Sequence, residues 1–572
     1  MYKIHFVREN KFVEAEEGSN LLEVWRSAGL MPDAPCGGRG KCGKCRVRIL
    51  GEETRVVKAC EMRVHGDMEL DTEYVENGYH ILTGGRTRAV SFHPAVRKVR
   101  VQVPMARIGE CRSDWTRFTD ALSRTEERAG QEYRVNLKAA SVLGKLQKET
   151  QGMVWAVVSE GHILQVSAEE PQIYMAAVDI GTTTVAAYLL DGETGAVRAI
   201  ASGKNPQAQY GADVINRANY CLLHGMEGVT GCIRETVNQL VAELAQKAGI
   251  AVQEICALSV VGNTCMHHMF LGAAVYSLTK APYVPAVQEA MICSSRDYGI
   301  ALHPEAELWM LPNIAGFVGA DTVGCLLSSG LAEEQEWTLL VDIGTNGEMV
   351  LGKNGRLLAC STAAGPAFEG AGISCGMRGA SGAISHVRWS GQAWEYETID
   401  SGKPLGICGS GILDLVAELR RSGQMDEGGY LEEEITLADG KESGNGEPIQ
   451  FTQRDVRQLQ LAKAAIAAGI RMLAMRAGIE VKEIQKVWIA GAFGNYMSPE
   501  SACAIGLIPQ ELSGKIRMIG NAAGEGAKLV LKDRGLWEEA QKLAAEAEFV
   551  ELATMKEFQD CFVDEMEFPE LR

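Results

Sequence analysis

The sequence predicts a multidomain α/β protein, and three observations carry that prediction. From about residue 173 onward, apolar strand-like runs alternate with helical periodicity, the pattern of a layered α/β fold. Two stretches of that region repeat each other closely, which predicts an internally duplicated module. The first 70 or so residues read differently, as short strands and one helix around a loop of glycines and cysteines. At 572 residues the chain has room for several domains of roughly 100–200 residues each.

The formal net charge of −18 and a pI near 5.2 argue against a general nucleic-acid binder, which would present a basic face. With 46% hydrophobic and 23% charged residues, no large part of the chain has the composition of a disordered segment. No run of 18 apolar residues occurs, and Met1–Phe6 lacks the apolar core of a secretory signal. The expectation is a soluble cytoplasmic protein without membrane contact. In that compartment the sixteen cysteines are thiols or metal ligands, not a disulfide frame.

Charge divides the chain. Residues 1–85 carry 12 basic and 14 acidic side chains, residues 86–150 carry 14 and 7, and the remainder 30 and 53. We expect an N-terminal domain at 1–85, a basic linker at 86–112 that is solvated or, alternatively, a hinge touching an acidic partner, and a small α+β middle domain at 113–172 with a helix around Asp114–Arg128. The duplicated module then fills 173–572, its first lobe at about 173–335 and its second at about 336–572.

At the N-terminus, Tyr2–Val7 alternates as a strand and Lys11–Ala15 pairs with it as a hairpin. Ser19–Gly29 reads as a helix capped by Ser19 and stopped by Gly29, and Arg46–Leu50 and Glu61–Leu70 are strand-like. Cys36, Cys42, Cys45 and Cys60 follow the spacing C-x5-C-x2-C-x14-C, and interleaved glycines let that loop bend and aim amides at an anion. An iron–sulfur cluster needs such wrapping, because its thiolates carry negative charge away from water. Zinc is the alternative, although it usually takes paired C-x2-C knuckles and this segment has one. The order strand-strand-helix-loop-strand and the first three cysteines resemble the β-grasp fold of plant-type [2Fe–2S] ferredoxins over residues 1 to about 80. That resemblance implies a [2Fe–2S] cluster on Cys36, Cys42, Cys45 and Cys60, with Cys60 furthest from the commonest spacing.

The repeat in the larger module is Ala176–Tyr188 against Leu339–Leu351. In each, an apolar strand ends in Asp-Ile-Gly-Thr, turns, and leaves as a second apolar strand. Such a hairpin exposes backbone amides and small hydroxyls to phosphate oxygens, and Asp179 and Asp342 at the strand ends suit Mg²⁺. Each half also carries a later strand with a glycine turn, Leu258–Thr264 in the first and Val487–Tyr496 in the second. Together these motifs resemble the superfamily of acetate and sugar kinases, heat-shock cognate chaperones and actin (ASKHA). By that resemblance Asp179, Gly181, Thr182 and Thr183 form one phosphate loop, and Asp342, Gly344, Thr345, Asn346 and Gly347 the other. Gly491, Gly494 and Asn495 form the adenosine motif.

Other segments carry less. The glycine-rich run Ala364–Gly382 fits either close approach to a ligand or chain, or a plain loop. Gly406–Asp414 opens a helix whose first amides suit phosphate. Thr452–Asp455 is a capping box for a helix reaching Ala477, with Gly478 as stop; Lys463 on it could reach the nucleotide, although a lone lysine is more often solvated. Cys265, His267 and His268 read as packing residues, since adjacent histidines on a helix point apart.

The domain order, together with Val341–Glu348, Ala363–Gly370, Gln460–Ile466, Ala490–Asn495 and Gly520–Gly524, resembles the reductive activators of corrinoid-dependent enzymes over nearly the whole chain. The resemblance implies ATP-dependent reduction of an inactive Co(II) corrinoid, carried by a methyltransferase-system protein, to Co(I). It also implies a homodimer joined through the ASKHA module, with Asp179 and Asp342 holding Mg²⁺ and one of them positioning the attacking water. The chain lacks the C-terminal [4Fe–4S] segments of some members and so resembles the [2Fe–2S] branch. Plant-type clusters lie near about −400 mV. Each further 100 mV costs about 2.3 kcal/mol per electron, from about 59 mV per tenfold, so uphill delivery calls for ATP. No Gly-x-Gly-x-x-Gly follows a strand, which implies an external electron donor. Three alternatives stay open: a small-molecule kinase with a redox-sensing ferredoxin domain, an activator of a dehydratase or other radical enzyme, and a non-catalytic binding module with a structural cluster.

Overall fold

A computed structural model describes residues 1–30, 32, 34, 38, 45–51, 55–72, 83–126 and 132–571, without the side chains of 492, 494 and 495. The first five strands are β1 (Tyr2–Phe6), β2 (Lys11–Ala15), β3 (Arg46–Leu50), β4 (Arg55–Lys58) and β5 (Met68–Asp71). They form one sheet in the order β2-β1-β5-β3-β4, with β1 and β5 parallel and the other pairs antiparallel. Helix α1 (Leu21–Ser27) presses Leu21, Leu22, Val24 and Trp25 onto Ile4, Phe6, Val47 and Leu70, which is the β-grasp arrangement. Its cap is Asn20 and not Ser19. Asn20 Oδ1 accepts the Leu22 N–H at 3.0 Å, while Ser19 spends its carbonyl on Val64 N–H. The expected strand over Glu61–Leu70 begins only at Met68, and β4 had no sequence forecast.

Residues 84–95 run along the surface of the duplicated module, largely exposed but bonded to it through the backbone. Gly84 C=O accepts the Asn521 N–H at 2.9 Å, Arg86 N–H donates to Ile519 C=O at 2.7 Å, and His93 and Ala95 bond Lys532 and Leu531. The Arg86 guanidinium lies 4.4 Å from the centroid of a Trp488 ring, and Arg88 pairs with Glu333 and Glu539. Arg88 is thereby matched by acidic residues of the module. Next come β6 (Arg97–Gln102), α2 (Asp114–Thr125), α3 (Leu137–Glu149), β7 (Met153–Ser159) and β8 (His162–Ser167). The strands make an antiparallel sheet packed on the two helices through Phe118, Leu122, Leu143 and Val154. Strand β6 lies within the stretch expected as linker, and α2 ends at Thr125.

The first lobe contains β9 (Tyr174–Ile180), β10 (Thr184–Asp191), β11 (Val197–Lys204), α4 (Val214–His224), α5 (Glu227–Ala248), β12 (Ile255–Gly262), α6 (Thr264–Leu271), β13 (Met291–Ser294), β14 (Glu307–Met310) and α7 (Ala320–Ser329). The second opens with β15 (Thr338–Ile343), β16 (Gly347–Lys353) and β17 (Arg356–Thr362). After it come β18 (Ala383–Trp389), β19 (Trp394–Thr398), β20 (Gly406–Ile407), α8 (Gly409–Arg421), β21 (Ile435–Ala438), β22 (Ile449–Phe451) and α9 (Gln453–Ala477). It closes with β23 (Lys486–Ala490), α10 (Gly491–Tyr496), α11 (Pro499–Ala504), β24 (Ile516–Gly520), α12 (Ala522–Lys532), α13 (Gly535–Glu546), β25 (Glu548–Phe549) and α14 (Lys556–Asp564).

The duplication is visible in strand order. One sheet runs β11-β10-β9-β12-β14-β13 and the other, read from its far side, β25-β17-β16-β15-β23-β24; both hold an antiparallel triplet followed by two parallel strands. Strands such as β9 and β15 are nearly all apolar because helices cover both faces. Helices α7 and α12, each following the last parallel strand of its lobe, cross at the centre. A Cβ on Gly526 would stand 2.1 Å from the Gly324 carbonyl oxygen, so these helices touch backbone to backbone. The cleft between the lobes opens above that crossing. The capping box Thr452/Asp455 starts α9, and Gly478 at φ 76° ends it, as the local sequence predicts.

Candidate functional site

Two hairpin turns of the duplicated module meet at the cleft. Residues 181–183 join β9 to β10 and residues 344–346 join β15 to β16. The first turn is held from behind: Asn205 Nδ2 donates to Gly181 C=O at 2.8 Å, the buried Arg217 to Thr182 C=O at 2.7 Å, and Asn205 N–H to Thr183 C=O at 2.8 Å. With its carbonyls engaged there, the turn offers its amides and hydroxyls to the cleft. Asn263, which caps α6, donates to Thr182 Oγ1 at 3.0 Å.

The turns line one cavity of about 560 Å³. Of the residues singled out from sequence, Asp179, Gly181, Thr182, Thr183, Asp342, Gly344, Thr345, Asn346 and Gly491 all face it. Gly347 does not; it begins β16 and packs toward Ile466 and Thr362. Gly494 and Asn495 fall in α10, and their side chains lie outside the described residues. Gly491 has φ 86°, and a Cβ there would stand 2.6 Å from Asp342 Oδ1, so the start of α10 must be glycine for the carboxylate to keep its place.

The floor of the cavity is acidic. Glu348 is buried and Asp179, Asp321 and Asp342 are half-buried in the cavity wall, and desolvation there is the main cause that raises each of them. Asp179 is pushed up to about 7, held back by the Asn521 amide and raised by Asp342. Asp342 reaches about 6, and Asp321 about 8, where Asp342 and Asp179 add to the burial. Glu348 rises well above the usual carboxylate range for the same reason, with Asp321 and Asp342 contributing. No ion pair among the described residues neutralises any of the four. Carboxylates crowded into one cavity with no described basic side chain paired to them fit a hard divalent ion such as Mg²⁺.

Four further residues were not assigned from sequence. Asp321 opens α7, Glu348 follows the second turn, and Asn521 caps α12. Glu369 comes from the glycine-rich run, which therefore takes the ligand-approach alternative. Its Oε2 accepts Thr183 Oγ1–H at 2.8 Å and its Oε1 accepts Thr345 Oγ1–H at 2.7 Å. Asn521 and Glu369 do lie in motifs visible in sequence, Gly520–Gly524 and Ala363–Gly370, although neither motif states a role. Toward the far end of the cavity Phe368 stacks on Phe493 at 5.0 Å, and His386 Nδ1 meets Asp414 at 3.0 Å beside the first turn of α8. The flat rings and the helix start suit the base and phosphates of a nucleotide.

Lys463 is corrected. It is fully buried, its ammonium donates to Glu567 C=O and lies over the Phe568 ring, and burial lowers it to about 8. It anchors the C-terminal tail and faces no solvent. His268 is a packing residue as expected: its Nδ1 bonds Thr264 C=O at 2.7 Å, and its Nε2 accepts the N–H groups of Ala286 and Val287.

In the β-grasp domain, Cys36 and Cys42 lie outside the described residues. Cys45 is buried and Cys60 half-buried, and the Cys60 N–H points at Cys45 Sγ at 3.5 Å. Asn20, the α1 cap, donates to Cys60 C=O at 2.8 Å and so ties the helix to this cysteine. A buried cysteine sulfur that receives the amide of a second cysteine fits a thiolate ligand.

Family models match most of the chain: RACo linker region at 85–172, RACo middle region at 174–334, and C-terminal domain of RACo, the ASKHA domain, at 336–572. A corrinoid activation enzyme of Eubacterium limosum is 31% identical over 581 aligned positions, covering 96% of both chains. A Methanosarcina barkeri reductase of the Co(II) methylated amine-specific corrinoid protein is 25% identical, over 69% of this chain and 77% of its own. A solved structure of a reductive activator for a corrinoid, iron–sulfur protein superposes with a TM-score of 0.77 at 32% identity, covering 100% of this chain and 98% of that one.

Proposed function

This chain belongs to the RACo family of ATP-coupled reductive activators, and from that membership we propose that it restores a corrinoid protein of a methyltransferase system by reducing its Co(II) to Co(I). The observation that carries the reading is the convergence of both phosphate turns and four carboxylates on one cavity, in a chain whose N-terminal domain aims the Cys60 N–H at Cys45 Sγ.

Mg–ATP binds between the lobes. Thr182, Thr183, Thr345 and the turn amides take the phosphates, the Gly491–Asn495 segment takes the adenosine, and Asp179 and Asp342 would hold the Mg²⁺ with Asp321 and Glu348 beside them. The [2Fe–2S] group, on Cys36, Cys42, Cys45 and Cys60, supplies a one-electron carrier. The electron comes from an external low-potential donor and ends on the partner's cobalt. Because the turns belong to different lobes, a nucleotide that contacts both favours the closed arrangement, and its hydrolysis releases it. The linker over residues 84–95, bonded to both ends of α12, joins that movement to the redox domain. Two chains associate through the ASKHA module. Among the described residues no helix is long and apolar enough to cross a membrane.

The test is anaerobic: purified protein, a low-potential reductant and a Co(II) corrinoid protein, followed by visible absorbance with and without Mg–ATP. The Co(I) band is expected only with ATP, and not with Cys42→Ser or Asp342→Ala. ATP turnover without any cobalt change would reject the electron-transfer reading and favour a kinase.

A further inference from the structure

We infer that Glu369 is the carboxylate that positions the hydrolytic water at the terminal phosphate, and that its two threonine contacts are the resting arrangement of the cleft. This rests on the reading of the cavity as an ATP site.

The two threonines come from the two phosphate turns, one per lobe, and a single carboxylate spans them with one oxygen each. Phosphates gripped by both turns must end where the turns face each other, and Glu369 stands there. Three of the other cavity carboxylates have partners of their own below. Asp179 receives the Asn521 amide at 2.9 Å, Asp342 lies against Gly491 and the Cys325 thiol, and Asp321 receives the Thr322 N–H at 2.7 Å. These sit at strand or helix ends beneath the turns and form the cation floor. Glu369 has a separate origin, the short turn Pro366–Glu369 between β17 and β18, and reaches the cavity from the side. Arg378 stands 3.9 Å from its Oε2, a positive charge close to the place where phosphate would lie.

When ATP enters, both threonine hydroxyls turn to phosphate oxygens, and Glu369 loses two donors at once. A water in line with the terminal phosphorus replaces them. Its oxygen forms the new bond to phosphorus as the bond from phosphorus to the bridging oxygen breaks. The water's proton passes to Glu369, ADP leaves with the electron pair of the broken bond, and the proton is released as Glu369 regains its threonines. Of the two contacts only Thr183–Glu369 crosses between the lobes, and while ATP is bound the phosphate's own contacts with both turns take the place of that bridge.

The experiment uses the full chain with its cluster, comparing wild type with Glu369→Gln and Glu369→Asp. It measures steady-state ATP hydrolysis and, separately, affinity for a fluorescent ADP analogue. For Glu369→Gln we expect kcat to fall about 10²- to 10³-fold with analogue affinity within about threefold of wild type, and Glu369→Asp to recover part of the loss. A Glu369→Gln kcat within threefold of wild type, with wild type active, overturns the assignment and leaves the ATP reading standing. So does a fall in which affinity and kcat are lost together, since that marks a structural role. A wild-type protein that hydrolyses no ATP removes the ATP reading, and this assignment with it.

Discussion

Asn521 donates its side-chain amide to Asp179 Oδ2 at 2.9 Å, across 342 residues of sequence, while its Oδ1 caps α12 by accepting the Gly524 N–H at 2.7 Å. One residue of the second lobe thereby steadies the acid of the first phosphate turn. Asn521→Ala removes both bonds. The lost cap costs about 1 kcal/mol, and without the amide Asp179 titrates still higher than about 7. Nucleotide affinity in Mg²⁺ is expected to fall several-fold at pH 7 and to recover partly at pH 8.5, read by fluorescent-nucleotide titration.

The backbone of the same residue carries the linker, since Asn521 N–H donates to Gly84 C=O. A Cβ on Gly85 would lie 2.7 Å from the Asn521 carbonyl carbon and oxygen. Gly85→Val is expected to lift the linker from α12. Limited proteolysis should then cut within residues 84–95, with ATP hydrolysis largely kept and ATP-dependent Co(I) formation reduced. Unchanged proteolysis would show that the linker tolerates the added side chain in place.

The acidic floor sets a pH dependence whose sign follows from linkage. Asp179, Asp342 and Asp321 keep their protons up to about 7, 6 and 8 in the folded chain, whereas unfolded carboxyls lose theirs near the ordinary value of about 4. Between those limits the folded state binds more protons, so these groups lower stability as pH rises from about 4 to 8. A cation competes with the protons. Scanning calorimetry should therefore give a larger rise in Tm on adding Mg–ADP at pH 8 than at pH 6.

Gly491→Ala places a methyl against Asp342 at a left-handed backbone position. The conformation alone costs on the order of 1–2 kcal/mol, and relief requires moving the carboxylate. Nucleotide binding is expected to fall at least tenfold while the visible spectrum of the N-terminal domain stays unchanged.

Cys45→Ser should do the opposite. Loss of the visible chromophore and of bound iron is expected with ATP affinity retained, since Cys45 lies in the β-grasp core and not at the cavity. Iron analysis beside nucleotide titration checks both halves.

How far the sequence could be read depended on the range of the interactions involved. The Thr452 capping box, the Gly478 stop and the two Asp-Ile-Gly-Thr turns are written within a few residues, and all stand where the local pattern puts them. The α1 cap moved by one residue, because Asn20 makes a second bond, to Cys60, that Ser19 does not. Lys463 was misjudged for a related reason. A lysine on a helix reads as solvated until the chain's last residues, here Glu567 and Phe568, fold back over it.

The sequence by itself determined the multidomain α/β class, the duplication and its two phosphate turns, because strand periodicity and tight turns are local and each repeat carries its own copy. Tertiary structure alone decided which carboxylates share the cavity and which of them spans it. Glu369 meets Thr183 from 186 residues away and Thr345 from 24, and Asn521 meets Asp179 from 342. No local propensity encodes those distances; they exist only once α7 and α12 cross at Gly324 and Gly526 and bring the two lobes face to face.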